Sequence, residues 1–263
     1  MEIRFTQLQC CSSSVTVDID DWVIESQQSW GVFSTEGDVG ALLGQLLTQQ
    51  VDAQTLTYSG DITGVTPACV ALVSLLEQQS LLEAILEQDD SESLGYTDPK
   101  TTVFGVVFNQ CHDNDLTHQL LQQLDLTHLS LSPFAQLSTG EGRRVMLARA
   151  VATQVPFLVL DEPYAGLDVA HRQTLTEYLQ QLSQTKQILV VVSREEDMPD
   201  WIEHVAMFSH GKLDTMMTKS QWDNHPVIAQ LTAQAGQQSD DMLVLIRRHR
   251  HKPLFANPVF QLN

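Results

Sequence analysis

Residues 136–168 read QLSTGEGRRVMLARAVATQVPFLVLDEPYAGLD, and the order of elements inside this stretch decides the fold. Phe157–Leu160 is an apolar run that ends in Asp161 and Glu162. It reads as a strand buried on both faces of a parallel sheet, delivering two carboxylates at its C-terminal end, where open α/β sheets place ligands. Upstream, Ser138-Thr139-Gly140-Glu141 is S-x-x-E before a helix, the pattern of a capping box. The same residues place free N–H groups and a glycine at a helix N-terminus, which is also a phosphate-binding arrangement. Downstream, Asp168 suits the N-cap of the next helix. Val169 to Gln184 has helical periodicity and Ile188–Val192 is a second apolar run, so strand, helix and strand close a βαβ unit.

Working outward, Trp30 to Phe33 is a shorter apolar run that leads through Gly37 and Gly40 into the helical pattern ALLGQLL from Ala41. The α/β core therefore draws on both ends of the chain. Between them, Gln79 to Gln88, Thr101 to Gln110 and Leu116 to Leu126 carry helical patterns separated by Asp, Ser, Gly and Pro breaks, a helical insertion. After Leu231 the composition turns to TAQAGQQSDD, a linker, followed by the basic cluster Arg247–Lys252 and by PLFANPVFQLN, which ends like the start of a strand.

The 263 residues carry 14 Lys plus Arg against 33 Asp plus Glu, a net charge of −19, which disfavours general attraction to nucleic acid or anionic lipid. Arg247–Lys252 reads as a solvated linker rather than a nucleic-acid site. The four cysteines, Cys10, Cys11, Cys69 and Cys111, form no CxxC pair, so neither zinc nor a disulfide framework is expected. No run approaches the length of a spanning helix, and a membrane role is expected only through a partner. Trp22, Trp30, Trp201 and Trp222 read as scattered, His204 as an ordinary core or solvated histidine, and Met216 and Met217 as packing residues.

LSTGE, a helix, FLVLDEP and AGLD, in that order, resemble the ABC ATPases. The family's signature LSGGQ corresponds to Leu137–Glu141, with Thr139 and Glu141 as departures. Its Walker B strand corresponds to Phe157–Glu162 and its D-loop to Ala165–Asp168. Gln78 stands in the place of the Q-loop glutamine, and Arg194, after ILVVVS, in the place of the switch histidine. More narrowly, the chain resembles the N-terminal half of the ModF/PhrA-type tandem ABC ATPases. The resemblance implies an α/β ABC ATPase fold, with a RecA-like parallel-sheet core, an antiparallel β edge and a helical subdomain. Residues 1–78 and 151–232 would form the core and 79–150 the helical subdomain. The segment 233–263 would supply a linker, the basic cluster and the first strand of a truncated second unit.

The resemblance further implies ATP and Mg²⁺ as cofactors and a second ABC ATPase unit, tandem or as a homodimer, as partner. A membrane permease is a further implied partner, with a cytoplasmic location that is peripheral to the inner face of the membrane. Asp161 would hold Mg²⁺ through water, with Gln78 nearby, and Glu162 would polarise the attacking water. Asp168 and the switch-position Arg194 complete the catalytic set, although an arginine cannot act as a neutral imidazole. Ser138, Thr139, Gly140 and Glu141 would face the phosphates of a nucleotide held by the partner.

The chain's own loop departs from the pattern. A working loop is G-x-x-x-x-G-K-[ST], in which N–H groups cradle the phosphates, the lysine reaches the β and γ groups and the hydroxyl ligates Mg²⁺. Ser34 to Ala41 occupy those places: Ser34 for the first glycine, Glu36 and Gly37 within the loop, Gly40 for the lysine and Ala41 for the hydroxyl. The first lysine in the chain is Lys100. Losing one charge-assisted contact worth about 1.5–3 kcal/mol weakens phosphate binding by one to two orders of magnitude. The expectation is an impaired own site and an intact signature end offered to a partner. Alternatives are an ATPase subunit of a molybdate-type importer, a non-transport regulatory or interaction module, and a catalytically dead fragment.

Overall fold

A strand that is apolar on both faces must lie inside a sheet covered on both sides. The computed structural model, which describes residues 1–12, 16–35, 39–50, 56–88, 101–226 and 228, places these runs inside a nine-stranded sheet, second and third from one edge. The elements run β1 (Ile3–Cys11), β2 (Thr16–Ile24), β3 (Trp30–Ser34), α1 (Val39–Thr48), β4 (Thr57–Thr63), β5 (Val70–Val73), α2 (Leu75–Gln88), α3 (Val103–Cys111), α4 (Asn114–Gln123), α5 (Thr139–Ala152), β6 (Phe157–Asp161), α6 (Val169–Leu182), β7 (Gln187–Val192), β8 (His204–Ser209) and β9 (Lys212–Thr218). The sheet order is β4-β1-β2-β9-β8-β3-β7-β6-β5. Strands β8, β3, β7, β6 and β5 run parallel to one another, whereas β1 pairs antiparallel with β2 and β4, and β8 with β9.

β6, α6 and β7 form the expected parallel unit, with Leu160 opposite Val190 and Asp161 opposite Val191. Each element is slightly redrawn from its sequence limits. β3 includes Ser34 and β7 begins at Gln187, both buried. α2 starts at Leu75 rather than Gln79, because the Ser74 hydroxyl accepts from the Glu77 N–H at 3.1 Å and starts the helix there. α3 begins after Thr102, whose hydroxyl accepts from Gly105 N–H, and α4 after Asp113, whose carboxylate accepts from Leu116 N–H. α6 ends at Leu182, two residues before the periodicity does.

The tryptophans are less scattered than their sequence positions imply. Trp22 is fully buried, stacks on Phe5 with ring centroids 5.0 Å apart, and meets Trp30 and Phe208 edge-on. His204 stacks on Trp30. Packing between β1, β2, β3 and β8 thus builds one aromatic core, which takes up Phe5. Met217 packs as read, but Met216 on the same strand is 46% exposed, since alternate residues of β9 face opposite sides.

The chain divides into Met1–Lys219 and Ser220–Asn263. The described residues of the second unit are helical at their start, where the Asn224 side chain donates to the Ser220 carbonyl. The linker, the Arg247–Lys252 cluster and the terminal strand of the sequence reading lie outside the described residues. Among the described residues, no helix is long and apolar enough to cross a membrane.

Candidate functional site

Parallel strands β3, β6 and β7 end together, and their C-terminal ends carry Ser34, Asp161 and the segment leading to Arg194. Ser34 and Asp161 are both buried. α1 follows β3 and begins at Val39, so Gly40 and Ala41 lie in its first turn; Glu36 and Gly37 lie outside the described residues. Gly40 is in close contact with Asp161. A Cβ placed on it would lie 1.9 Å from Oδ1 and 2.7 Å from Cγ of Asp161, and 2.9 Å from Cγ1 of Val191. No larger residue fits there without moving the carboxylate or β7.

Glu162 follows Asp161 with φ 49°, a left-handed conformation uncommon for residues other than glycine. Its N–H donates to the Val191 carbonyl, so the chain turns away from the sheet at this point. Beneath the turn lies Arg143 of α5, which sequence reading did not single out. It is 4% exposed, and its Nη1 donates to the carbonyl oxygens of Asp161 at 2.8 Å and Glu162 at 2.6 Å. Burial lowers its pKa, while the carboxylates of Asp161 and Glu162 push it back up. Arg144, also buried, turns the other way and donates to the carbonyls of Leu124 and Asp125 at the end of α4. The adjacent arginines therefore fasten α5 to β6 on one side and to α4 on the other.

The N-terminus of α5 is built as a capping box. The Ser138 N–H and hydroxyl donate to Glu141 Oε2 at 2.8 and 2.7 Å, and the Glu141 N–H returns to Ser138 Oγ at 3.4 Å. The hydroxyl bond, then the backbone bond from Ser138, hold the Glu141 carboxyl below its usual range. Ser138 and Thr139 are exposed and Gly140 is buried. A Cβ on Gly140 would lie 2.8 Å from the Gly166 carbonyl oxygen, so the α5 terminus rests directly on the 164–168 loop. Gln78, in the first turn of α2, packs on the same helix: its Nε2 would lie 2.4 Å from a Cβ at Gly142. Gln78 is thus brought to α5.

Asp168 ends the loop as the N-cap of α6, its carboxylate accepting from the His171 N–H at 2.9 Å with the His171 ring beside it. The backbone bond from His171, then its side chain, hold the Asp168 carboxyl low. His171 Nε2 also lies 3.7 Å from Asp125, beside the carbonyls that Arg144 engages. Arg194 is exposed and pairs with the neighbouring Glu196, so its charge is directed along its own turn. A cleft of about 220 Å³ opens between α6 and residues 196–200, with Glu196, the partner of Arg194, in its lining. Its buried Asp197 is satisfied by Arg172, which also lies over the Tyr164 ring.

The structure therefore brings the expected residues into two groups. Ser34, Gly40, Ala41, Asp161 and Glu162 lie at the strand ends, and Gln78, Ser138–Glu141 and Asp168 gather around the start of α5. Arg143 connects the groups.

The ABC transporter family profile matches residues 41–165. Among curated proteins, the chain is 26% identical over 223 residues to "ABC transporter ATP-binding protein ModF" of Escherichia coli (strain K12), covering 84% of this chain and 44% of that protein. It is 32% identical over 132 residues to "Sulfate/thiosulfate import ATP-binding protein CysA" of Nephroselmis olivacea, covering 48% and 38%. The chain thus spans less than half the length of these relatives. Among solved structures, a nucleotide-free ATP-binding cassette from an ABC transporter superposes with a TM-score of 0.63 at 14% identity, covering 88% of this chain and 99% of that one.

Proposed function

We propose that the chain, whose family profile and relatives are those of ABC transporter ATP-binding domains, is a one-sided half of a paired ATPase. Its α5 terminus, with Ser138, Thr139 and Gly140, faces the phosphates of an ATP held by the loop of a second unit, while its own loop is degenerate. The observation that carries this reading is the contrast between the two ends. The Ser138 end is capped, exposed and seated on the 164–168 loop. The loop end has no cation between Ser34 and Ala41, and Gly40 stands where the lysine would reach a phosphate. The residues of that loop do not fit Mg²⁺–ATP: Gly40 has no side chain to reach a γ-phosphate, Ala41 has no hydroxyl, and the Asp161 carboxylate lies against Gly40. Mg²⁺–ATP belongs, on this reading, to the partner's loop, and Asp161, Glu162, Gln78 and Arg194 have no catalytic duty on their own side.

Turnover tests it. The isolated chain is expected to hydrolyse ATP negligibly. Mixed with or fused to an ABC unit that has an intact loop, it should raise turnover, and Ser138→Arg should abolish the gain by blocking the α5 terminus. Robust turnover by the chain alone that disappears in Glu162→Gln overturns the proposal.

The importer relatives favour a second reading, in which this half serves a membrane permease for an oxyanion such as sulfate or molybdate, at the cytoplasmic face of the membrane. Leu75 and Leu76, beside Gln78 in the first turn of α2, are 45% and 46% exposed and offer an apolar contact surface. Co-purification with a permease that is lost in Leu75→Glu/Leu76→Glu supports this reading, and failure to retain any permease counts against it.

A further inference from the structure

We propose that Arg172 is a positioning residue, holding the 164–168 loop from α6 so that the α5 terminus is presented on a fixed seat. The inference rests on the reading above, in which Ser138–Gly140 are offered to a partner, and adds the residue that sets their support.

The loop is the seat because two glycines meet across it. A Cβ on Gly140 would lie 2.8 Å from the Gly166 carbonyl oxygen and 3.0 Å from Leu167 Cδ2, and one on Gly166 would lie 3.7 Å from the Gly140 nitrogen. Gly166 has φ 78°, a left-handed conformation that strains any side chain, so the loop turns this tightly beneath α5 as glycine. The loop keeps its own shape through two bonds, from the Ala165 N–H to the Glu162 carbonyl at 3.1 Å and from the Leu167 N–H to the Tyr164 carbonyl at 3.3 Å. Neither bond ties it to the rest of the fold.

That task falls to the two ends of the loop, and both are held by α6. Asp168 caps the helix at one end. At the other, Tyr164 is 4% exposed, its hydroxyl lies 3.3 Å from Thr176 Oγ1, and Arg172 Cζ stands over its ring, 5.8 Å from the centroid. Arg172 is itself aimed by Asp197, a buried carboxylate in the turn after β7 that pairs with Nη1 and whose N–H donates to the Arg194 carbonyl at 3.1 Å. A buried ion pair gains little net stability once desolvation is counted, and fixing geometry is its better-attested use. Here the pair holds a planar guanidinium against one face of one ring. Arg172 thus joins α6, the loop beneath α5 and the turn that carries Arg194.

Hydrogen exchange on the full chain, with neither partner nor nucleotide present, tests this. Arg172→Met should speed exchange of the Ala165 and Leu167 amides by about tenfold, because the loop then opens without breaking its hold on α6. A merely structural role would instead speed only amides that open with the whole fold, such as Leu189 and Val190 in β7. Unchanged loop exchange, whatever happens in β7, overturns the proposal. Since methionine leaves Asp197 as a lone buried carboxylate, Arg172→Met/Asp197→Asn is measured alongside and carries the same expectation. In a Tyr164→Leu background the route is already cut, so Arg172→Met should add less than about twofold, and an undiminished effect there also overturns the proposal. In the pair with a competent unit, Arg172→Met should lower kcat by roughly tenfold and leave KM for ATP within about twofold, because the nucleotide stays on the partner's loop while the groups facing it are misplaced. An unchanged kcat overturns the positioning role. A native pair without turnover refutes the reading above instead, and the exchange result still decides this one.

Discussion

Replacing Arg143 by methionine removes the side chain on which α5 and β6 depend for their junction. Methionine nearly matches the length of the arginine stem, so the substitution deletes the guanidinium while filling most of its volume. Two donations are lost, to the Asp161 carbonyl at 2.8 Å and the Glu162 carbonyl at 2.6 Å. Charge-assisted bonds contribute about 1.5–3 kcal/mol each. Against this stands the relief of desolvating a cation that is only 4% exposed and whose pKa burial already depresses. The Asp161 carbonyl loses this donor at the end of an interior strand, while the Glu162 carbonyl keeps the Ala165 N–H at 3.1 Å, and the balance stays unfavourable, with a net loss of about 3 kcal/mol. For a domain of this size that corresponds to a fall in Tm of roughly 6–12 °C. Urea unfolding followed by tryptophan fluorescence, with Trp22 and Trp30 in the core, measures it against Arg4→Gln. Arg4 is 48% exposed and lies 3.6 Å from Asp21, so its removal should cost less than about 0.5 kcal/mol. An Arg143→Met protein no less stable than Arg4→Gln would refute the reasoning.

Two further outcomes follow from the α5 terminus. Ser138→Ala and Glu141→Gln should each cost about 1 kcal/mol at neutral pH, the ordinary worth of a helix cap. Since Ser138 holds the Glu141 carboxyl below its usual 4.5, the contribution is fully present above that value and is lost as pH falls through the depressed one. The stability gap between the native chain and Glu141→Gln, read from denaturant curves across acidic pH, should therefore narrow on acidification, and a widening gap contradicts the assignment. Gly140→Val drives a side chain toward the Gly166 carbonyl, 2.8 Å from its Cβ, and should cost about 1–3 kcal/mol. It should also speed amide exchange across residues 164–168, and unchanged exchange there would show that the loop does not rest on α5.

Reading the sequence located β6, α6 and β7 because strands buried on both faces leave continuous apolar runs, which chain order alone can reveal. The Ser138–Glu141 cap was legible for a similar reason: its partners are three residues apart. β1 was not, because its alternation is broken at Gln7, which has φ 46°, and the pairing with β4 shifts register between Thr6 and Gln9. β4 hides further, being exposed along nearly its whole length as the sheet edge. Arg143 and Arg144 look like a solvated pair, and only the packing of α5 on several sides forces both guanidinium groups inward. A signal was present, since two adjacent cations preceding VMLARAVA in a helix with so little polar surface must find partners. The contact of Gly40 with Asp161 joins the two ends of the fold and leaves no trace in local spacing.

The most direct test of the central claim is the nucleotide stoichiometry of the paired assembly. Mg²⁺–ATP is titrated calorimetrically into the isolated chain and into an equimolar complex with an ABC unit that carries an intact loop and a hydrolysis-blocking substitution. The account predicts no measurable uptake by the isolated chain and one nucleotide per pair, displaced when the partner's loop lysine is removed. Two nucleotides per pair, or tight binding by the isolated chain, would contradict it.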